Sequence, residues 1–497
     1  MIDSLRKQPW YLLLLPLFFV MHGLTENFGF INFRDVLVLA ITYITASIIL
    51  FLLFLFVFKK RAKAALAAFF LMAFYLFFGA IQDFCKVHIA ALNRYSVLLS
   101  LFVIVFSIVI FYLRKSKGSF SRLNLFLNSL FLIYIIVDIG ALVYKNFDPS
   151  LNKLSTYRFA KEINYQPCRD CPKPDIYFLL FDEYASSVSL KNHFNYDNSA
   201  LDIFLVQQGF HIQQKSSSNY NFTPLSMASI LNMSYLPGIN PDEISIEDYA
   251  RCNQLIKKNA VINFLALQGY EIVNYSIFDL AGNPSLISQN ILPLKTKLIT
   301  DGTLFNRIQK DLLWMMVTGK YQIKWLADKV FYENMHNNET FINELEKSSS
   351  TRSAEPRFFY GHLYMPHSPF YFDKNGKAKE SEVIYKESKE SNVNAYLEYV
   401  SYANARIREL ISTIKKNTKG QAVIIFMGDH GFRKPIADND KTHYFENQNA
   451  IYFPANDYHL FYDSVSGVNQ FRIIFNSLFR QDFSLLKDST IFLTDKK

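Results

Sequence analysis

The chain has 497 residues, enough for more than one domain, and 50% of them are hydrophobic, with 48 phenylalanines. Its net charge is +9. The basic residues are dispersed and cluster mainly beside apolar stretches, a pattern that argues against a nucleic-acid partner and fits membrane-flanking charge. The apolar excess lies in residues 1–145, and the rest has the composition of a globular domain.

In chain order, the first elements are five apolar segments: Trp10–Leu24, Val36–Phe58, Ala64–Gln82, Ser96–Leu113 and Leu125–Tyr144. A spanning helix needs about 20 apolar residues, and the second and fifth meet this easily. The first is the shortest and contains Pro16. With Arg6 and Lys7 ahead of it, it has the start of a secretory signal, but no small-residue cleavage site follows. Lys59, Lys60, Arg61 and Lys63 follow the second segment, and Arg114, Lys115, Lys117 and Arg122 follow the fourth. The alternate loops carry Arg34, and then Lys86 and Arg94. The positive-inside rule therefore puts the N-terminus and both basic loops in the cytoplasm. Five crossings then deliver everything after Tyr144 to the outer side. Asp138, inside the fifth segment, is either a functional intramembrane acid or a helix-packing hydrogen-bond partner.

Residues 146–174 read as a linker with Pro167, Pro172 and Pro174. Cys168 and Cys171 form a C-x-x-C there, expected as a local disulfide outside the membrane, with a redox role as the alternative. Beyond it, strands are expected at Asp175–Phe181, Phe210–Gln213, Tyr270–Tyr275, Arg357–Tyr364, Ala422–Met427 and Asn449–Phe453. Helices are expected near Ser199–Gln208, Pro224–Met233, Ala260–Gln268, Asn392–Ile414 and Asn469–Phe479. That alternation implies an α/β domain, residues 175–497, with a mainly parallel sheet. Residues 281–350 fit the alternation poorly. Leu304–Glu346 reads as a largely helical insertion, with Trp314 and Trp325 among basic residues, packed on the domain or resting at the membrane surface. Ser348–Ser353 and Lys374–Ser391 read as solvated loops.

Ligands of parallel sheets gather beyond the carboxyl ends of strands, and the acidic motifs Asp182-Glu183 and Gly428-Asp429-His430-Gly431 both occupy such positions. Thr223 precedes Pro224, so it reads as a helix N-cap with proline at the first helical position. The helix end stabilises anions, and a dication-bound hydroxyl there becomes a nucleophile for phosphorus or sulfur. Taken alone, Thr223 is a cap and Asp429-His430 a surface turn. Together, two carboxylates, a hydroxyl and an imidazole form a set suited to one divalent metal, Zn²⁺ or Mn²⁺ ahead of Ca²⁺ or Mg²⁺. His362 and His367 lie in a strand-end stretch with Pro366 and Pro369, and His367 is placed to contact an anionic oxygen or protonate a leaving group. Arg433 is placed to pair with an anionic substrate, and His443 is a weaker substrate-binding candidate.

The order Asp182-Glu183, Thr223 before a helix, the His367-x-Pro369 loop and Gly428-Asp429-His430-Gly431 resembles the sulfatase branch of the alkaline phosphatase superfamily over roughly Pro174 to Phe479. With membrane spans ahead of it, the chain resembles the lipoteichoic acid synthases and lipid A phosphoethanolamine transferases. The resemblance implies an α/β alkaline-phosphatase-like domain holding one catalytic Zn²⁺ or Mn²⁺ through Asp182, Thr223, Asp429 and His430, with His367 as the substrate-binding histidine. It also implies a membrane lipid or envelope glycan substrate, and a multi-pass place in a bacterial inner membrane with the catalytic domain on the periplasmic or extracellular side. Two departures qualify it. Sulfatases carry Cys or Ser followed by x-Pro-x-Arg, whereas this chain reads Thr223-Pro224-Leu225-Ser226. The lipid-linked transferases have one Glu where this chain has Asp182-Glu183, which leaves Glu183 as an alternative or additional ligand. The expected function is transfer of a lipid-derived phospho-group through a covalent threonine. Sulfuric ester hydrolysis and a non-catalytic receptor or scaffold are the alternatives.

Overall fold

The computed structural model describes residues 2–89, 94–147, 167–287, 296–310, 323–435 and 440–495. The chain divides into two compact units, residues 1–157 with 291–315, and residues 158–290 with 316–497. Trp314, most of the 146–174 linker and part of the expected Leu304–Glu346 helix lie outside the described residues.

The first unit is helical: α1 (Ile2–Lys7), α2 (Tyr11–Glu26), α3 (Phe33–Phe58), α4 (Arg61–His88), α5 (Tyr95–Lys115) and α6 (Ser121–Phe147). α3 to α6 are each long and apolar enough to cross a membrane. α2 has 16 residues, about 24 Å at 1.5 Å per residue, shorter than the roughly 30 Å hydrocarbon core. Polar ties hold α2 in place. Asn128 on α6 accepts from the Tyr11 amide at 2.6 Å and donates to the Leu5 and Gln8 carbonyls, closing the amino end of α2. Asp138 has a packing partner, His22 on α2, whose Nδ1 lies 3.1 Å from its Oδ1. Large apolar side chains such as Phe56, Ile108 and Phe111 are exposed, as lipid-facing helices require.

Part of the sequence-expected insertion belongs to this unit. Short helix α12 (Lys297–Thr300) packs on α2, and the Gly79 amide donates to Gly302 O at 2.7 Å. Glycine allows both approaches. A Cβ on Gly23 would stand 2.6 Å from Ile299, and one on Gly79 would stand 2.6 Å from Gly302 O.

The second unit is a six-stranded sheet of order β2-β6-β5-β1-β4-β3. The strands are β1 (Ile176–Phe181), β2 (His211–Ile212), β3 (Glu271–Tyr275), β4 (Arg357–Leu363), β5 (Val423–Gly428) and β6 (Asn449–Tyr452). β1 pairs in parallel with β4 and β5, β4 in parallel with β3, and β6 antiparallel with β5 and β2. Alternation along β1 divides the core. Ile176, Phe178 and Leu180 pack with α9 (Thr223–Asn232), α10 (Ile246–Lys257), α11 (Ala260–Leu267) and α16 (Gly467–Phe479). Tyr177, Leu179 and Phe181 pack with α13 (Lys324–Ser350) and α15 (Val393–Asn417) on the other face. Helices α7 (Ser187–Phe194), α8 (Ser199–Gln207) and α14 (Ser381–Lys389) complete the unit.

Two loop expectations are corrected. The charged run Lys374–Ser391 contains α14, which buries Ser381 and Ile384. The polar run Ser348–Ser353 is entered by the last turn of α13. In both, few apolar side chains anchor an otherwise charged helix, so composition hides it. Cys168 and Cys171 are joined in a disulfide.

Candidate metal centre and hydroxyl site

The site forms where the three central strands end. Phe181, the last residue of β1, lies level with Leu363 of β4 and Gly428 of β5. The next residues, Asp182 and Asp429, are therefore neighbours, and both are fully buried. Asp182, Asp429 and His430 each offer one ligand atom, and these atoms all lie within 4.8 Å of one another.

Thr223 closes the group. Helix α9 begins at Thr223, with Phe222 as its N-cap and no side-chain capping bond. Thr223 is thus the first helical residue and not the expected cap, one residue from the sequence boundary. Its hydroxyl is free of the helix and lies 3.4 Å from Asp182 Oδ1 and 3.3 Å from His430 Nε2. The Ser226 hydroxyl, a turn later, donates to Asp429 O at 2.6 Å and fastens the helix end to the second motif. The α9 amino end adds its positive field at the hydroxyl.

The donor set fits one divalent cation. Ligands about 2.0–2.1 Å from a tetrahedral metal stand roughly 3.4 Å apart, which matches the 3.3 and 3.4 Å separations around Thr223. Asp429 Oδ2 is buried without a hydrogen-bond partner, an arrangement costly unless a cation faces it. His430 Nδ1 lies 2.9 Å from Gly431 O. An N–H there donates to that carbonyl and leaves Nε2 as a lone pair facing the group. Burial lowers the His430 pKa and favours that neutral form. Burial, and then the Asp429 charge, push Asp182 well above the usual carboxylate range. For Asp429 burial acts in the same direction, but His430, His362, Thr223 and the Glu183 amide outweigh it and hold it low. The glycines of the motif permit the close packing. A Cβ on Gly428 would lie 2.4 Å from Tyr184 O, and one on Gly431 would lie 2.1 Å from His443 O.

Glu183 turns away from the three-residue group. Its φ is +61°, uncommon for a residue with a side chain and typical of functional turns. Its amide donates to Asp429 Oδ1 at 2.8 Å. Its Oε1 accepts from the Arg433 amide and Nε at 3.1 and 3.2 Å, and its Oε2 stands 3.7 Å from His367 Nε2. Arg433 Nη2 is 3.1 Å from the same His367 nitrogen. Burial opposes ionisation of Glu183, but His367, Arg433 and His430 lower its pKa overall. Arg433 and His367 thus stand together on Glu183, and Arg433 Nη1 donates to the Asn221 carbonyl, two residues before Thr223, at 3.4 Å. His443 is not brought to the group. It is buried, and its Nε2 lies 2.7 Å from Lys434 O, so it ties the loop behind the motif.

The sequence reasoning gave no role to His362. It is fully buried on β4, its Nε2 lies 3.5 Å from Asp182 Oδ2, and burial pushes its pKa down to about 4. The available signal was a histidine two residues after Tyr360 on an otherwise apolar strand.

Residues 256–460 match the family model described as Sulfatase. The matched stretch includes His367, Asp429, His430 and Arg433, while Asp182 and Thr223 precede it and join it through the geometry above. A comparison with curated proteins finds no match. Among solved structures, the chain is similar to the C-terminal periplasmic domain of EcEptC from Escherichia coli in complex with Zn, with 10% identity, 63% of this chain and 85% of that one covered, and a TM-score of 0.39. It is also similar to the C-terminal periplasmic domain of phosphoethanolamine transferase EptC from Campylobacter jejuni, with 12% identity, 63% and 92% covered, and a TM-score of 0.38. A third is the phosphonate monoester hydrolase of Agrobacterium radiobacter, with 13% identity, 61% and 73% covered, and a TM-score of 0.37.

Proposed function

We propose that this chain is a membrane-anchored, metal-dependent phosphotransferase or phosphoesterase of the sulfatase-like type, whose nucleophile is Thr223. The observation that carries the reading is a helix-terminal hydroxyl, not engaged in capping, between a buried carboxylate and a buried imidazole at 3.4 and 3.3 Å. Asp182, Thr223, Asp429 and His430 would hold one Zn²⁺ or Mn²⁺. When bound, the cation supplies Lewis-acid charge that lowers the hydroxyl pKa and offsets charge on the phosphoryl oxygens.

The chain's residues do the rest. Arg433 and His367 hold the anionic group against Thr223, and Glu183 orients both. Thr223 Oγ attacks phosphorus of a phosphodiester while the O–P bond to the departing alcohol breaks. The threonine proton leaves to solvent, and the leaving oxygen takes one from solvent relayed through His367. An acceptor hydroxyl, from a glycan or water, then attacks phosphorus and loses its proton to solvent through His367, while the Thr223 Oγ–P bond breaks and Oγ takes a proton back from solvent. The missing x-Pro-x-Arg pattern disfavours the formylglycine route to sulfate esters. In this reading α3 to α6 are four crossings and the 16-residue α2 is a fifth, short one met by local thinning of the bilayer; with the basic loops at 59–63 and 114–122 in the cytoplasm, that count leaves the α/β domain outside a bacterial inner membrane, where lipid and glycan substrates lie.

The test is Thr223→Ala in the full chain. Turnover of an aryl phosphodiester should fall at least about a thousandfold, as expected for loss of a nucleophile. Metal should still bind through Asp182, Asp429 and His430. Activity retained in that variant overturns the mechanism.

A further inference from the structure

The two carboxylates of the metal group are held differently. Asp429 Oδ1 accepts the Glu183 amide at 2.8 Å. Among the described residues, the hydrogen bond recorded for the Asp182 carboxylate is from the Thr223 hydroxyl, at 3.4 Å to Oδ1. Its other oxygen, Oδ2, lies 3.5 Å from His362 Nε2, and both of these atoms are buried without a hydrogen-bond partner. A fully buried acid whose orientation nothing else fixes would reach the metal in several rotamers, and this one has an imidazole behind it.

We infer that His362 is the positioning residue for Asp182: its Nε2–H steadies Oδ2 so that Oδ1 stays turned toward Thr223 and the cation. This rests on the metal reading above and deepens it. His362 is absent from the group of ligand atoms within 4.8 Å of one another, so it acts on a ligand and is not one. The ring is itself held. Tyr360, two residues earlier on the same face of β4, has its hydroxyl 3.0 Å from His362 Nδ1. When Tyr360 donates there, the single proton of a neutral imidazole sits on Nε2, aimed at Asp182. The Phe278 ring packs beside the imidazole with centroids 5.6 Å apart. Register places the histidine where it is needed, since His362 lies level with Leu180, two residues before Asp182.

The test uses the detergent-solubilised full chain and Zn²⁺ titrated against a chromogenic chelator, with metal content counted separately. Each variant's metal-free melting curve is the folding control. All chains should take one Zn²⁺. His362→Leu should weaken binding about 10–100-fold, the usual effect of losing an outer-shell partner. His362→Gln, which keeps an N–H donor, should recover to within a few-fold of wild type. Tyr360→Phe should weaken binding in the wild-type background and add nothing to His362→Leu, because the two act through one proton.

Wild-type affinity in His362→Leu overturns the inference while leaving the metal reading intact. Loss as complete as in Asp182→Asn makes His362 a ligand and also overturns it. A glutamine variant as weak as the leucine one removes the donor argument and overturns it too. A wild-type chain that takes no divalent cation fails the metal reading itself, and this inference with it.

Discussion

Gly431→Ala isolates the packing that shapes the metal group. An added Cβ would lie 2.1 Å from His443 O and 3.0 Å from Glu446 O, where real Cβ contacts essentially never fall below 3.0 Å. Both neighbours are backbone, so no side chain can rotate away. Relief needs a shift of 0.9 Å, the difference between 2.1 and 3.0 Å, in the Asp429–Gly431 turn or the segment 443–446. Overpacking of this kind costs about 1–3 kcal/mol, and metal constellations tolerate only about 0.5 Å of misplacement. If the metal-free chain relaxes and binding must restore the native turn, that strain appears as roughly 5- to 150-fold weaker metal affinity at 1.4 kcal/mol per decade. The assay is Zn²⁺ competition on the full chain, with melting curves alongside. Gly269→Ala is the control. It lies at φ +87° with nothing within 4 Å, so it should lose about 1–2 kcal/mol of stability and leave metal affinity unchanged. Wild-type metal affinity in Gly431→Ala would refute the claim that this glycine exists for close approach at the site.

Glu183→Gln should keep the metal and raise KM for an anionic substrate, because Arg433 and His367 lose their orienting charge; an unchanged KM would remove Glu183 from substrate binding. The same variant tests linkage. The folded Glu183 pKa lies below its ordinary 4.5, so its stabilisation is full above that value and lost as pH falls through the lower folded one. Wild type should therefore lose stability more steeply below pH 4.5 than Glu183→Gln, and superimposed acid limbs would contradict this. Arg357→Ala should cost about 3 kcal/mol in chemical denaturation, because Arg357 is buried against Asp175 at 2.8 Å and also donates to Ser348 O and Thr351. Metal affinity of the remaining folded chain should not change. Aryl phosphodiesters should turn over much faster than aryl sulfates, and the reverse preference would favour sulfuric ester hydrolysis.

The strand-end motifs were legible in the sequence because each follows an apolar run buried on both faces of a parallel sheet, and such runs place polar residues at their carboxyl ends. Thr223 was legible through Pro224, though its hydroxyl serves the site and not the helix, a distinction that depends on where Asp182 and His430 arrive. What was hidden was long-range. Glu183 and Arg433 meet across 250 residues, and nothing local separates Glu183 the orienter from Glu183 the ligand. His362 was obscured by its own strand, where its pairing with Asp182 depends on the register with β1. His443 looked like a loop residue but is buried under its loop. The docking of residues 296–310 on the membrane helices depends on Gly23 and Gly79, which in sequence are two small residues in apolar segments.

The most direct test of the central claim is mass spectrometry of the Thr223 peptide from protein purified out of its native membrane and quenched during turnover of a phosphodiester. The account predicts a covalent phospho-adduct on Thr223, absent in Thr223→Ala, whose mass names the transferred group. An unmodified Thr223 under conditions where turnover continues, or an adduct on another side chain, would contradict it.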